Sequence, residues 1–223
     1  MKKVTLALLS ALALHAEVPI IEKEVTVDVP VKSWSEMRNE GVVKQQYDFS
    51  CGASSMATIL RHFYNLDINE QEIVNSVLAI KGVGSTPKQL TASDFALSFA
   101  DLADYARTKR FKGVGVAMGL DGLKKLRVPV IIYIKIRKFE HFTVFKGMDD
   151  EFVYLADPSF GNMKVKIPKF MEMFYQRDDL QHPGRVLAII PVDPTSVSPN
   201  EAFMKTQSDS GYLYDLIERR IDQ

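Results

Sequence analysis

The chain has 223 residues, with 28 basic and 28 acidic side chains, 46% hydrophobic residues and 25% charged residues. This length and composition predict one soluble globular domain with short appendages. The charges cancel and form no basic patch, which argues against nucleic acid as a partner, and the single cysteine excludes an intrachain disulfide and a cysteine-based zinc cluster.

The N-terminus has the pattern of a secretory signal peptide. Lys2 and Lys3 precede an apolar run over residues 4–14, which is too short to span a bilayer. We expect residues 1–16 to be removed by a cut after Ala16, leaving 26 basic against 28 acidic residues; an uncleaved signal anchor is the alternative. No later apolar run is long enough to cross a membrane, so we expect no stable membrane insertion after cleavage.

Helices are predicted to dominate the first half of the mature chain. Residues 17–41 form an N-terminal arm, with valines alternating along an extended edge strand over 17–32 and one helical turn within 33–41. An extended segment then leads into a buried helix that runs from Cys51 to about Tyr64. Further elements are a helix over 70–78, a two-part helix over 89–110, a short strand over 113–118 and a short helix over 121–126 that Asp121 caps.

Strands are predicted to dominate the second half, over residues 128–136, 141–146, 151–156, 163–167 and 186–191, with a short helix over 168–175. The turn at 147–150 makes a hairpin of the second and third strands. The pattern indicates an α+β domain over 42–192, in which an N-terminal helical half packs against a C-terminal antiparallel sheet. Residues 193–223 form a linker and an amphipathic helical tail that docks on its own body or on a partner; its apolar stripe comprises Tyr212, Leu213, Leu216, Ile217 and Ile221.

Cys51, the only cysteine, begins the first long helix and is followed by Gly52. Backbone N–H groups point toward the first turn of a helix, and their partial positive charge favours a thiolate. This placement is typical of a nucleophilic cysteine. The alternative is an inert side chain packed among small residues.

Two residues of the second half complete a candidate catalytic group. His141 opens a strand, and Asp157 ends the strand after the hairpin, so antiparallel pairing brings them together and lets the carboxylate orient the imidazole. His62 lies about 16 Å from Cys51 along the same helix, too far for a hydrogen bond. His182 lies in a polar turn and is less constrained. The alternatives are a satisfied sheet histidine and an ordinary turn aspartate.

Gln45 and Gln46 precede the nucleophile, and a side-chain amide there could donate to the oxyanion of a tetrahedral intermediate together with the Cys51 N–H. Residues 149–151 are best interpreted as a charged turn and not as a metal cluster. The sequence has no zinc-protease helix, nucleotide-binding loop or paired-cysteine motif. We therefore expect no metal, no cofactor and no use of ATP.

In order and spacing, these residues resemble the C39 peptidases, papain-like cysteine peptidases known for trimming double-glycine leaders from bacteriocins. In that family a Gln stands six residues before a Cys-Gly pair, a later His-Phe opens a strand, and an Asp-Pro follows 16 residues after the His. This sequence has Gln45, Cys51-Gly52, His141-Phe142 and Asp157-Pro158 at those spacings. The resemblance, over about residues 42–190, implies a papain-like fold with Cys51 as nucleophile, His141 as base, Asp157 as orienting acid and Gln45 as oxyanion donor. Gln46 is out of register.

Departures from the transporter-linked members point to a subgroup. Ser50 replaces the Asp that usually precedes the Cys, and the chain has a signal peptide and no transporter. It is more similar to the stand-alone exported C39 proteins of functional-amyloid secretion systems. The resemblance implies a periplasmic endopeptidase that cleaves a polypeptide and supports export of an amyloid or adhesin-like substrate through an outer-membrane export system. The alternative is a C39-like module that binds a peptide without cutting it.

Overall fold

A computed structural model describes residues 17–22, 25–30, 32–82 and 97–204. The chain divides into two units, of which the first ends at Met37 and the second begins at Arg38. The predicted signal peptide, the residues 83–96 and the apolar stripe of the tail lie outside the described residues.

In the first unit, β1 (Glu17–Glu22) and β2 (Val25–Pro30) pair with each other as an antiparallel hairpin, with Glu17 opposite Pro30. The sequence predicts one extended strand or arm here. The two arrangements could not be told apart from the sequence, because the alternation of valines is the same in one long strand and in two paired strands. A short helix, α1, follows over Trp34–Asn39.

The second unit is built on a six-stranded antiparallel sheet in the order β3-β8-β4-β5-β6-β7. Its strands are β3 (Phe111–Met118), β4 (Val130–Ile136), β5 (Phe139–Met148), β6 (Phe152–Asp157), β7 (Gly161–Lys166) and β8 (Gly184–Pro191). The last strand inserts between β3 and β4, so β3 pairs with β8 and not with β4. The strand order could not be predicted, since apolar strands fit several orders equally well.

Helices cover both faces of this sheet. The helices are α2 (Cys51–Thr58), which continues as a π-helical turn (Ile59–Phe63), α3 (Glu70–Ile80), α4 (Phe99–Thr108), α5 (Leu120–Lys124) and α6 (Ile167–Phe174). The helices α2 and α4 pack on one face, in the core that contains Ile131 and Val144, and α3 packs on those two helices. The helices α5 and α6 pack on the other face, against Val130 and Phe145. Because both faces are covered, β4 consists almost entirely of apolar residues.

Most predicted helices and strands are present with shifted ends, and two local predictions are wrong. Asp121 does not cap α5, since Gly119 takes that position and no side chain caps the helix. The extended segment expected over residues 42–50 is interrupted by a turn at Tyr47–Ser50, and residues 42–45 before it belong to no helix or strand. Of the described helices, none has the length and apolar character needed to cross a membrane.

The segment after β8 packs against the π-helical turn that continues α2. Asn200 donates its backbone N–H to Phe63 O (2.7 Å) and its side-chain amide to His62 O (3.2 Å) at the end of the π-helical turn. Phe203 is 7% exposed and packs in the helical core, with its ring centroid 6.3 Å from that of Phe63. The described start of the tail therefore covers its own core.

Replacing Phe203 with alanine is expected to destabilise the protein by about 3 kcal/mol, the loss typical of a buried phenylalanine. At this size the melting temperature should fall by roughly 6–12 °C. Val192→Ala is the control, since this neighbouring side chain is 65% exposed and its loss should change little. Thermal and urea denaturation of both variants measure the difference. Equal melting temperatures would mean that the segment does not dock in solution.

Candidate active site

Cys51 is the first residue of α2 and is partly exposed. The residue before it, Ser50, does not cap the helix with its side chain. Its hydroxyl instead donates to Tyr47 O (2.8 Å) and accepts from Tyr47 N (3.3 Å), which closes the turn that enters the helix. The N–H groups of the first turn thus keep their partial positive charge beside the thiol.

The packing of α2 against β5 explains why glycine follows the cysteine and phenylalanine follows the histidine. A Cβ atom at Gly52 would lie 3.2 Å from the ring of Phe142. Ser55, one turn further along α2, donates its hydroxyl to Phe142 O (3.3 Å). This close approach holds the start of the helix beside the strand that carries His141.

His141 lies between the predicted acid and the predicted nucleophile. Its Nε2 is 2.8 Å from Asp157 Oδ2, and the Cys51 side chain is close enough to the ring to raise the pKa of His141. Because Nε2 faces the Asp157 carboxylate, Nδ1 is the ring nitrogen that remains to exchange a proton with the Cys51 sulfur. The side chains of His141 and Asp157 are 11% and 0% exposed, so water screens this pair little.

Asp157 is held by its own turn. Its Oδ1 accepts the N–H groups of Ser159 (2.8 Å) and Phe160 (2.9 Å), which leaves Oδ2 for the imidazole. The β6 register places Asp157 one position beyond Ala156, which pairs with Val144 of β5. Asp157 is therefore near His141 across the ladder, as the antiparallel arrangement predicts.

Burial and hydrogen bonding act in opposite directions on these groups. Burial lowers the pKa of His141, but hydrogen bonds to Asp157 and Cys51 and the charges of those groups outweigh it and raise the pKa to about 9. Burial raises the pKa of Asp157, whereas the hydrogen bonds and charge of His141 and the two N–H groups lower it overall. The pair therefore favours an imidazolium next to a carboxylate at neutral pH.

These two pKa shifts determine how the stability of the fold depends on pH. The raised pKa of His141 adds stability that is complete below its ordinary value of 6.5 and is lost as the pH rises through about 9. The lowered pKa of Asp157 adds stability that is present above its ordinary value of 3.8 and is lost as the pH falls through the lowered value. The pair thus stabilises the fold most between those two ordinary values.

Gln45 is joined to the turn that holds Asp157. Its backbone N–H donates to Pro158 O (3.0 Å), and its side-chain Oε1 accepts from Ser159 Oγ (2.8 Å). The amide nitrogen Nε2 donates to Tyr47 O (3.1 Å), in the turn directly before the nucleophile. One amide hydrogen remains for a further acceptor. The side chain of Gln46 is exposed, as its out-of-register position predicts.

Glu70 is a residue of this site that sequence reasoning missed. It is 1% exposed at the first position of α3, and both carboxylate oxygens lie 3.0 Å from the backbone N–H of Gln46. This contact connects the segment before Cys51 to the helix α3. An acid in the first turn of a helix is ordinary, so nothing local in the sequence marks this one as buried.

The other two histidines among the described residues, His62 and His182, lie away from this pair. His62 is in the π-helical turn at the far end of the nucleophile helix, and its pKa is lowered by burial. His182 pairs with Asp179 (Nδ1 to Oδ2, 3.2 Å) on an exposed loop.

Within the described ranges, no group of three metal-binding side chains is close enough to hold an ion. Asp149 accepts two N–H groups of its own turn, which agrees with its interpretation as a turn residue.

Comparison with curated proteins shows relatives over the same central region. The chain is 33% identical over 141 residues to the "Probable functional amyloid protease FapD" of Pseudomonas fluorescens, and 31% identical over 140 residues to the protein of that name from Pseudomonas aeruginosa. Each match covers 63% of this chain, and 60% and 59% of the respective relatives. The chain therefore spans about three fifths of the length of these relatives.

Comparison with solved structures and family models gives the fold and the family. The peptidase domain of Streptococcus ComA, a bifunctional ABC transporter, superposes with a TM-score of 0.51 at 16% identity, covering 67% of this chain and 97% of that domain. The α+β, papain-like fold predicted from the sequence is thereby confirmed. Residues 39–177, more than half of the chain and including every residue of the candidate site, match the family model described as Peptidase C39 family. On this match, the chain belongs to the C39 family of peptidases.

Proposed function

We propose that this chain is a cysteine endopeptidase in which Cys51 is the nucleophile, His141 the general base and acid, Asp157 the orienting carboxylate and Gln45 the oxyanion donor. The observation that carries the proposal is the buried His141–Asp157 pair, with 2.8 Å between Nε2 and Oδ2, beside the Cys51 side chain, which raises the pKa of His141. The family membership supports the same chemistry.

Each step of peptide cleavage has a group to perform it. The Cys51 thiolate attacks the scissile carbonyl carbon, after its proton has passed to His141. The oxygen of the tetrahedral intermediate accepts the Cys51 N–H and the remaining amide hydrogen of Gln45. His141 gives its proton to the leaving amine, the C–N bond breaks, and a thioester remains on the sulfur. Water then attacks the thioester with His141 as base, and the product acid leaves with the thiol restored.

Asp157 supports both forms of the imidazole. In the neutral ring it keeps the proton on Nε2, so that the lone pair of Nδ1 can accept the proton of the thiol. In the charged ring its carboxylate stabilises the imidazolium, which accounts for the raised pKa of His141. A general base of this kind is therefore protonated across the neutral pH range.

We further propose that the peptidase acts in the periplasm after removal of residues 1–16 and supports export of an amyloid or adhesin-like polypeptide. The names of the two Pseudomonas relatives support a role connected with functional amyloid. The basic and apolar pattern of residues 1–16 supports export. In this arrangement residues 42–192 are the peptidase domain, and residues 193–223 are a linker and an amphipathic C-terminal tail.

Thiol alkylation tests the nucleophile without knowledge of the substrate. Cys51 is the only cysteine, so iodoacetamide uptake by residues 17–223 reports on it alone. We expect alkylation at pH 6 to be much faster in the folded protein than in the urea-unfolded protein, because protonated His141 stabilises the thiolate. His141→Ala should remove the difference. His182→Ala is the control, since that histidine also pairs with an aspartate but lies on an exposed loop.

Cleavage is tested by comparing new protein N-termini in cells that produce the wild type or Cys51→Ala. Termini that depend on Cys51 identify the substrate and the scissile bond. Equal alkylation of folded and unfolded protein would contradict the nucleophile assignment. Fast alkylation without any Cys51-dependent terminus would instead favour a module that binds a peptide and does not cut it.

A further inference from the structure

Two segments of the chain lie side by side at the candidate site, Lys44–Gln45 before the nucleophile and Pro158–Ser159 after the triad aspartate. They are joined by three hydrogen bonds: Gln45 N to Pro158 O (3.0 Å), Ser159 Oγ to Gln45 Oε1 (2.8 Å) and Lys44 Nζ to Ser159 O (2.5 Å). Ser159 takes part in two of them. Its own N–H donates to Asp157 Oδ1 (2.8 Å).

Ser159 therefore contacts two functional groups through two different parts of the residue. Its backbone N–H holds Asp157, the partner of the imidazole. Its side-chain hydroxyl holds Gln45, the proposed oxyanion donor. A change confined to the side chain can consequently remove the second contact and leave the first in place.

Two contacts hold the Gln45 amide, one at each end: Tyr47 O at its nitrogen and the Ser159 hydroxyl at its oxygen. Tyr47 O is an acceptor only, so the amide must turn its nitrogen toward Tyr47 and its oxygen toward Ser159. The Ser159 hydroxyl then donates to that oxygen. Without this donor the Gln45 oxygen loses its protein partner, and only the bond to Tyr47 O restrains the amide.

We propose that Ser159 is a positioning residue for the oxyanion hole: its hydroxyl orients the Gln45 amide so that the free amide hydrogen faces the developing negative charge. This inference rests on the proposed function and deepens it. One turn, 157–160, thus aligns both the imidazole and the oxyanion donor.

Ser159→Ala is expected to lower kcat about 3- to 10-fold, as loss of one neutral hydrogen bond does, with little change in KM. It should add no further loss when Gln45 is already alanine, because Ser159 acts through that side chain. Ser159→Thr keeps the hydroxyl and should restore most of the rate. The alkaline limb of the pH–rate profile, which reports His141, should not move in Ser159→Ala, since the backbone contact to Asp157 remains.

The matched control is Ser196→Ala, which removes another hydroxyl bonded within a turn, to Asp193 O (2.7 Å), at an exposed position. The assay uses a quenched fluorescent peptide that spans the bond cut by the wild type. In parallel, the side-chain amide of Gln45, assigned in a ¹⁵N spectrum by its loss in Gln45→Ala, should shift in Ser159→Ala and not in Ser196→Ala.

The outcomes separate this inference from the proposed function. An active wild type with an unaffected Ser159→Ala variant overturns the inference alone. If Ser159→Ala lowers kcat by the same factor in the Gln45→Ala background, the inference is also overturned. Ser159 would then act on the domain as a whole and not through the Gln45 side chain. A wild type with no Cys51-dependent cleavage overturns the proposed function, and the role of Ser159 in catalysis falls with it.

Discussion

Asp157→Asn is expected to lower kcat by as much as about 10⁴-fold, the loss that follows the corresponding change in serine-protease triads. Asparagine can still accept the N–H groups of Ser159 and Phe160 through its oxygen, so the turn should survive. Its amide nitrogen then faces His141 Nε2 and donates to it. The ring is forced to carry its proton on Nδ1, where it cannot accept a proton from Cys51.

The pH dependence of the same variant gives a second readout. In the wild type, kcat/KM should fall on the alkaline side with an apparent pKa of about 9, as His141 loses the proton needed by the leaving amine. Asp157 contributes much of this upward shift, so in Asp157→Asn the residual activity should fall at lower pH. If the alkaline limb of the profile does not move in Asp157→Asn, that limb does not reflect the pKa of His141.

Asp149→Asn is a close structural control for this change. Asp149 also accepts two backbone N–H groups through Oδ1, from Glu151 (2.8 Å) and Phe152 (2.6 Å), and its Oδ2 accepts the hydroxyl of Tyr154 (2.6 Å). The two aspartates hold their turns alike, but only Asp157 contacts a histidine. Similar losses of activity in both variants would show that turn stability, and not the imidazole, explains the effect.

Gln45→Ala is expected to lower kcat about 10²- to 10³-fold, the usual result of removing one oxyanion donor. The melting temperature should change little, because the backbone bond from Gln45 N to Pro158 O is kept. The effect should fall on kcat and kcat/KM together, since the interaction forms only as negative charge develops.

The neighbouring glutamine provides the control. Gln46→Ala removes an exposed side chain and keeps the backbone N–H that donates to the buried Glu70. We expect less than about a twofold change in kcat, as for most exposed substitutions. Equal losses at the two positions would show that the six-residue spacing does not identify the oxyanion donor. Steady-state kinetics on the peptide found for the wild type measure both variants.

Sequence reasoning located the local parts of the site. Cys51 followed by Gly52 at a helix start and Asp157 before a proline at a strand end are each visible within a few residues. His141 lies in the expected strand but does not open it, since β5 begins at Phe139. The antiparallel hairpin also predicts that His141 and Asp157 should meet, and they do, at 2.8 Å. These predictions succeed because helix starts, strand ends and hairpins depend on neighbouring residues.

The supports of the site could not be found in this way. Ser159 and Glu70 are a turn serine and a helix-start acid by local pattern, and their partners lie 114 and 24 residues away. Contacts of that range depend on which strands pair and how loops close around them. Many arrangements of the same apolar strands satisfy the same periodicity.

The sequence by itself determined the chemistry available to this protein: one thiol at a helix start, a histidine and an aspartate on neighbouring strands, and a glutamine six residues before the thiol. The tertiary structure decided how those groups are held. It placed Phe142 against Gly52, bringing α2 to β5, inserted β8 between β3 and β4, and laid the turn after Asp157 against Gln45. The physical reason is that residue type sets reactivity, whereas the distances between reactive atoms depend on packing between segments far apart in the chain.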